Sequence, residues 1–258
     1  MRHFPSAIQR ASVIHSSPAP PTRRQEGSPV KPFRSLPVLA LLIMLSSRAS
    51  SSELTLISDN TWEAFDTDPT PSTPSLGPAQ YVCLAVGCPS SCPTGAVLYG
   101  YGCGYWGAQL TPISGAHWIW KPSAPSDPAD LAVACFAKTI TINGSVVAAT
   151  FYLAADDFAE VRVNGELAGS VGSITDYGSA AGAQGVLVGF DLAPFLGPGP
   201  NQIVVCSQNG PNSFTGLSCA PCSYSQNPAG VVFGGTILTN DVTRSHRPSW
   251  GILKAWYR

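Results

Sequence analysis

The chain has 258 residues, of which only 11% are charged, and it contains 25 glycines and 24 prolines. This length suits one domain of moderate size with appendages, and the composition favours short strands and turns over long helices. Between Ser50 and Asn240, three Lys or Arg residues stand against 13 Asp or Glu residues, a net charge of −10. Such a body repels phosphate backbones, which argues against nucleic acid as a partner.

Residues 1–49 have the composition of a signal or targeting segment. The run "LPVLALLIML", from Leu36 to Leu45, has the length of a signal-peptide core and is too short to span a bilayer. Small residues at Ser47 and Ala49 predict cleavage after Ala49. The region before the run is unusually long, so a transit peptide or an over-extended start are the alternatives. We therefore expect secretion, with no transmembrane span.

After residue 50 the sequence consists of short apolar runs separated by turn residues. The runs are rich in β-branched and aromatic residues and carry no useful amphipathic helix pattern, which is typical of an all-β sandwich or barrel. In chain order they are "ELTLIS", "HWIW", "LAVACFAKTITI", "VVAATFYLAA", "AEVRV", "ELAGSV", "QGVLVGFDL", "NQIVVCSQN" and "GVVFGGTIL". We expect a sandwich domain over residues 50–240, a cysteine-rich insertion at about 80–105, and a basic tail at 241–258.

Three turns have recognisable sequences. Asn164-Gly165 predicts a type I′ hairpin, because both residues tolerate positive φ. Asn143-Gly144 predicts a second hairpin, and Asn143 also heads an Asn-X-Ser sequon, which makes it a candidate glycosylation site. The stretch "DLAPFLGPGPN" predicts one short helical turn that ends at Gly197.

Eight cysteines all follow the expected cleavage site, and an even count in a secreted chain favours disulfides. Their spacings match no usual zinc pattern, so zinc is the weaker alternative. One group lies in the insertion, a C-x-x-C pair lies near the end, and two cysteines lie apart in strand-like runs. The sequence leaves their pairing open; these cysteines are Cys83, Cys88, Cys92, Cys103, Cys219, Cys222, Cys135 and Cys206.

The order of motifs resembles the galactose-binding-like jelly roll, an accessory module of glycoside hydrolases such as rhamnosidases and β-galactosidases. The matching pieces are the "WIW" entry, "KTITI", the "ADD…VNG" hairpin, "FDL…G-x-N" and "AGVVF", from Trp118 to Thr239. The resemblance implies an antiparallel β-sandwich in which the strands of Cys135 and Cys206 are neighbours. It therefore implies a disulfide between them, with two buried thiols as the alternative. The cysteine-rich insertion has no counterpart in the family.

Asp156 and Asp157 form the most conspicuous polar pair. Neighbours on an extended strand point to opposite faces, so the pair is not placed to act as acid and base across one glycosidic bond. We expect these residues to cap a turn through backbone N–H groups. The pair is also similar to the adjacent aspartates of a family of sandwich lectins that bind sugar through calcium, which makes it a candidate calcium site.

Two Gly- and Ser-rich loops, "SITDYGS" and "SQNGPNSF", combine aromatic with amide side chains. Flat rings stack on pyranoses and amides hydrogen-bond to hydroxyls, although packing is the alternative role for each aromatic. With the acid pair included, the predicted ligand-binding residues are Asp156, Asp157, Tyr177, Asn209, Asn212 and Phe214.

The sequence therefore predicts a secreted, non-catalytic β-sandwich that binds carbohydrate or glycoprotein at a cell surface, wall or matrix. The alternative is a structural subunit of an extracellular assembly, in which the insertion and the tail contact other proteins or further copies. A glycan-active enzyme ranks third, because the body holds one histidine, His117, and no G-x-S-x-G motif.

Overall fold

The computed structural model describes residues 50–86, 92–102, 106–123, 125, 128–214 and 227–241. In these residues the chain forms two β-sheets that enclose a shared apolar core. The strands are β1 (Ser50–Ile57), β2 (Glu63–Phe65), β3 (Gly77–Pro78), β4 (Gln80–Val86), β5 (Val97–Gly102), β6 (Ile119–Trp120), β7 (Val133–Ile142), β8 (Ser145–Asp156), β9 (Phe158–Val163), β10 (Glu166–Gly172), β11 (Val188–Asp191), β12 (Gly199–Gln208) and β13 (Gly230–Asp241). The helical elements are α1 (Tyr177–Gly185) and three 3-10 turns at Thr111–Ile113, Ala193–Phe195 and Asn212–Phe214.

Sheet A has the strand order β11-β8-β13-β6-β4-β5, with β1 also paired to β13, and sheet B has the order β10-β9-β12-β7-β2-β3. The pairings are antiparallel except for β4 with β5, which run parallel. Consecutive strands such as β7 and β8 lie in different sheets, which is the connectivity of a jelly roll rather than of a meander. The antiparallel sandwich implied by the galactose-binding-like resemblance is thus confirmed.

The core follows from the two-residue period of the strands. In β8, Phe151 and Leu153 face inward and are buried, as an alternating strand requires. Phe233 of β13 stacks on Phe151 at 5.8 Å between ring centroids and meets Trp62 edge-on at 4.7 Å. Burying a large apolar side chain contributes about 1.5–3 kcal/mol each, so these rings hold the two sheets together.

The predicted turns are present. Asn164 and Gly165 have φ values of 53° and 84°, as the type I′ turn between β9 and β10 requires. Asn143 is exposed in the turn that joins β7 to β8. The predicted helical turn is the 3-10 turn Ala193–Phe195, which leads into β12.

The cysteine-rich insertion adds β4 and β5 to sheet A, strands that the sequence pattern does not predict. Within it, Cys83 and Cys92 form a disulfide. The predicted targeting segment and most of the basic tail lie outside the described residues, as do Cys88, Cys103, Cys219 and Cys222.

Cys135 of β7 and Cys206 of β12 stand directly opposite each other in the strand register. They form a disulfide across a sequence separation of 71 residues. The bond lies on the outer face of sheet B, beside Phe65, Ala137 and Val204. The pairing implied by the resemblance is therefore present, and it fastens the two central strands of this sheet.

We predict that the double change Cys135→Ala with Cys206→Ala destabilises the fold more than Cys83→Ala with Cys92→Ala. The first disulfide closes a loop of 71 residues and the second a loop of 9. Chain entropy then makes the longer crosslink more stabilising by about 2 kcal/mol. Urea unfolding of the two double variants measures the difference, and equal losses of stability would contradict the loop-length account.

Candidate functional site

The predicted ligand contacts lie at one end of the sandwich. Asp156 is the last residue of β8, and Asp157 lies in the bend before β9. Tyr177 begins α1, Asn209 directly follows β12, and a 3-10 turn spans Asn212–Phe214. Hydrogen bonds and ring contacts join these segments into one cluster.

Asp156 and Asp157 are each only 4% exposed. The expectation that their side chains point to opposite faces is wrong, because Gln184 Nε2 donates to Asp156 Oδ1 at 2.6 Å and to Asp157 Oδ1 at 3.1 Å. The alternation of an extended strand ends with β8, and Asp157 belongs to the bend that follows. The two carboxyl groups therefore converge on one amide of α1.

The remaining carboxyl oxygens of the pair also accept N–H groups. Trp106 Nε1 donates to Asp156 Oδ2 at 2.8 Å, and the backbone N–H of Gly210 donates to Asp157 Oδ2 at 2.7 Å. Each carboxyl oxygen thus has an N–H donor. The pair therefore joins α1, the loop after β12 and the segment of Trp106 to the end of β8. This is a structural role, but it differs from the expected capping of a nearby turn, because only Gly210 donates a backbone N–H and it lies far along the chain.

Burial raises the pKa of Asp156 well above its ordinary value, and the neighbouring negative charge of Asp157 raises it further. Burial also raises the pKa of Asp157, against the hydrogen bonds from Asp156, Gly210 and Gln184. Two adjacent buried carboxylates repel each other, so ionising both is unfavourable. Asp156 therefore keeps its proton at pH values at which an exposed aspartate has lost it.

The acid pair does not fit calcium. A calcium ion takes six to eight oxygen ligands, whereas these carboxyl oxygens already face N–H donors. Within the residues that the structure describes, no group of three His, Cys, Asp or Glu side chains could hold a metal. The groups around the pair are N–H donors, which suit two buried carboxyl groups and not a cation.

The aromatic residues occupy the surface of the same end. Tyr177 and Phe214 are half-buried and meet edge-on, with ring centroids 5.8 Å apart. Asn212 is exposed beside them, and its backbone N–H donates to Asp130 Oδ1 at 2.9 Å. We call Tyr177, Asn212 and Phe214 the end platform. It places two half-buried aromatic rings at the surface of this end.

Helix α1 is fixed at its beginning as well as at Gln184. Asp176 caps the helix by accepting the backbone N–H of Ser179 at 2.8 Å. The hydrogen bonds from Ser179 lower the pKa of this exposed carboxyl. Tyr177 directly follows the capping residue, so the cap fixes the backbone position from which the Tyr177 side chain contacts Phe214.

Asn209 is fully buried, and its Nδ2 donates to Ala129 O at 3.2 Å. Its burial and that of the acid pair correct the prediction that these residues touch a ligand, because they offer no surface to one. They support the loops instead.

The sequence pattern misses Gln184, Asp130 and Gly210, and it indicates Trp106 only as a loop aromatic that could contact a sugar, not as the donor to Asp156. Gln184 lies in "YGSAAGAQG", whose small residues show no apolar stripe, although the Asp at 176 and Ser at 179 are a weak helix-cap signal. Trp106 and Asp130 are isolated in irregular segments, and their partners lie far along the chain. No local pattern identifies such residues.

The described part of the chain contains no helix with the length and hydropathy needed to cross a membrane.

No protein-family model and no curated protein matches the chain. Among solved structures, an α-L-rhamnosidase from Streptomyces avermitilis complexed with L-rhamnose is 21% identical, with a TM-score of 0.34, over 48% of this chain and 11% of that enzyme. A lectin from Pleurotus ostreatus in complex with GalNAc is 22% identical, with a TM-score of 0.29, over 48% of this chain and 33% of the lectin. A β-glucuronidase from Ruminococcus gnavus is 13% identical, with a TM-score of 0.38, over 76% of this chain and 30% of that enzyme.

The chain thus spans a third or less of the length of each of these three proteins. Their activities and ligands are their own, and similarity at this level assigns neither to this chain.

We predict that the free energy of unfolding falls as the pH rises above about 4, the value near which Asp156 loses its proton in the unfolded chain. The folded state keeps that proton because the pKa of Asp156 is raised, so it binds more protons than the unfolded state. The loss ends once the pH passes the raised pKa. Asp156→Asn removes this titration, and urea unfolding from pH 4 to 9 should give a flatter profile.

Asp176→Asn is the matched control for this pH dependence. The pKa of Asp176 is lowered, so its contribution to stability is lost as the pH falls rather than as it rises. The decline above pH 4 should persist in Asp176→Asn. An unchanged decline in Asp156→Asn would contradict the assignment of this proton to Asp156.

We also predict that Gly210→Ala destabilises the protein by about 1–3 kcal/mol, the cost of losing a charged hydrogen bond. An added Cβ would lie 2.3 Å from Asp157 Oδ2 and 3.1 Å from the ring of Phe214, so the loop must move away from β8. In α1, Gly182→Ala meets nothing within 4 Å and should be neutral or stabilising. Thermal unfolding compares the two, and a Gly210→Ala melting temperature at or above that of Gly182→Ala would contradict this role of the loop.

Proposed function

We propose that this protein is a secreted, non-catalytic carbohydrate-binding module that uses the end platform to bind glycans at a cell surface, wall or matrix. The observation that carries the proposal is the half-exposed ring pair of Tyr177 and Phe214 beside the exposed Asn212. Aromatic faces cover the apolar faces of pyranose rings, so two rings at the surface are suited to a sugar.

The supports beneath the end platform favour binding over chemistry. Asp156 and Asp157 are buried, and their oxygens are occupied by Trp106, Gln184 and Gly210, so they hold the loops and do not reach a bound glycan. A glycosidase needs two carboxyl groups about 5–9.5 Å apart across an accessible bond. This pair meets at one amide inside the protein.

Rigid support also lowers the cost of binding. Asp176 and Gln184 fasten both halves of α1, and Asp130 and Asp157 fasten the loop that carries Phe214. A platform that is ordered before the ligand arrives loses less conformational entropy on binding. The signal-like segment and the disulfides support an extracellular setting for this binding.

We predict that Tyr177→Ala and Phe214→Ala each weaken glycan binding about tenfold, since an aromatic contact of this kind contributes about 0.5–1.5 kcal/mol beyond the area that it buries. A glycan array with the full chain identifies the glycan, and isothermal titration with that glycan measures the affinities. Binding should persist in the presence of a calcium chelator.

Tyr81→Ala is the matched control for these variants. Tyr81 is a half-buried tyrosine that meets His117 edge-on at 5.1 Å, so it repeats the ring geometry of Tyr177 on strand β4. Its replacement should leave the affinity unchanged. The proposal is overturned if the unmodified protein retains no glycan on the array, or if Tyr81→Ala weakens binding as much as Tyr177→Ala does.

A further inference from the structure

A recess lies on the outer face of sheet B, near the segments that support the end platform. It is a cleft of about 280 Å³, and its lining includes Val133, Phe158 and the disulfide Cys135–Cys206. This volume is at the small end of ligand sites, which favours a single ring over a larger group. The disulfide holds β7 to β12 beneath it, so the cleft has a fixed floor.

The rim of this cleft is polar: the carboxylates of Glu160 and Asp68 line it, and the Arg162 guanidinium is paired with Glu160. Glu160 lies on one side, with Oε1 accepting from Arg162 Nε at 2.7 Å, and this bond fixes the orientation of its carboxylate. Thr67 and Asp68 are exposed at the rim, on the segment after β2. Carboxylates accept hydrogen bonds from hydroxyl groups and repel other anions. The rim therefore suits a neutral ring that carries several hydroxyls.

The cleft adjoins the segments that support the end platform, since Phe158 and Gln208 are register partners at the end of sheet B. Phe158 directly follows Asp157, whose carboxylate holds Gly210 under the platform. Gln208 lines the cleft two residues before Gly210, and its Nε2 donates to Leu131 O at 3.2 Å. Among the cleft residues, the half-buried Phe158 is the one next to the acid pair in the sequence.

We propose that the cleft is a second subsite, so that the ligand is a neutral oligosaccharide chain that runs from the end platform onto the outer face of sheet B. This inference rests on the proposed function and extends it from a single sugar to a chain. The end platform stacks one residue of the chain, and Phe158 stacks a later one between Glu160 and Asp68.

The test begins with a monosaccharide that the full-length protein binds on the array. Isothermal titration then compares the affinity for this monosaccharide with the affinities for its homo-oligosaccharides of two to six residues. Affinity should rise about tenfold with chain length once the second subsite is reached. Phe158→Ala should remove this rise and leave the monosaccharide affinity unchanged, whereas Tyr177→Ala weakens both. Asp68→Ala should lower the affinity for the oligosaccharide about threefold. Asp68 lies on an exposed segment outside the core, so this variant keeps the test independent of folding.

Phe195→Ala serves as the control, since Phe195 is a half-buried phenylalanine beside the Asn164 turn at the other end of the sandwich. Equal affinities for the monosaccharide and the chain would overturn the second subsite while leaving the proposed function intact. If Phe158→Ala and Asp68→Ala both bind the oligosaccharide as tightly as the unmodified protein does, the second subsite is likewise overturned and the proposed function is left intact. If no glycan binds the unmodified protein at all, the proposed function fails and this inference fails with it.

Discussion

The buried acid pair at the end of β8 is the constraint on which the candidate site depends. A carboxyl group removed from water is costly unless donors replace the lost hydration. Here the donors come from Trp106, Gln184 and Gly210, which are far apart in the sequence. Satisfying Asp156 and Asp157 therefore fixes α1 and the loop after β12, and the exposed rings on those segments are positioned as a consequence.

The sandwich beneath the site depends on different forces. Alternating apolar residues of β8 and β13 bury their large side chains between the sheets, and the Cys135–Cys206 disulfide fastens sheet B from outside. Burial is non-directional, so it determines which faces meet but not where an exposed loop must lie. Hydrogen bonds to buried carboxyl groups are directional, and they supply that missing precision at the end of the sandwich.

These two kinds of force explain how much could be predicted from the sequence. The strands from β7 onwards and the Asn164-Gly165 turn could be predicted, because alternation and positive φ have local signatures, whereas β2 to β5 could not. The Cys135–Cys206 pair followed from the resemblance and not from spacing. Helix α1 could not be predicted from an apolar stripe, since its buried residues, Ala180 and Ala183, are small. The partners of the acid pair are tertiary contacts, and they have no local pattern.

Adjacent carboxylates in a sequence suggest chemistry, yet burial separates them here from any ligand. A carboxyl group that is buried beneath a loop cannot also offer its oxygens to a sugar, because the sugar does not reach them. The surface can then vary independently of its support. On the proposed function, Tyr177, Asn212 and Phe214 can change with the ligand while the acid pair keeps the loops in place. In such a site the most conspicuous residues of the sequence determine the shape, and less conspicuous loop residues determine which ligand binds.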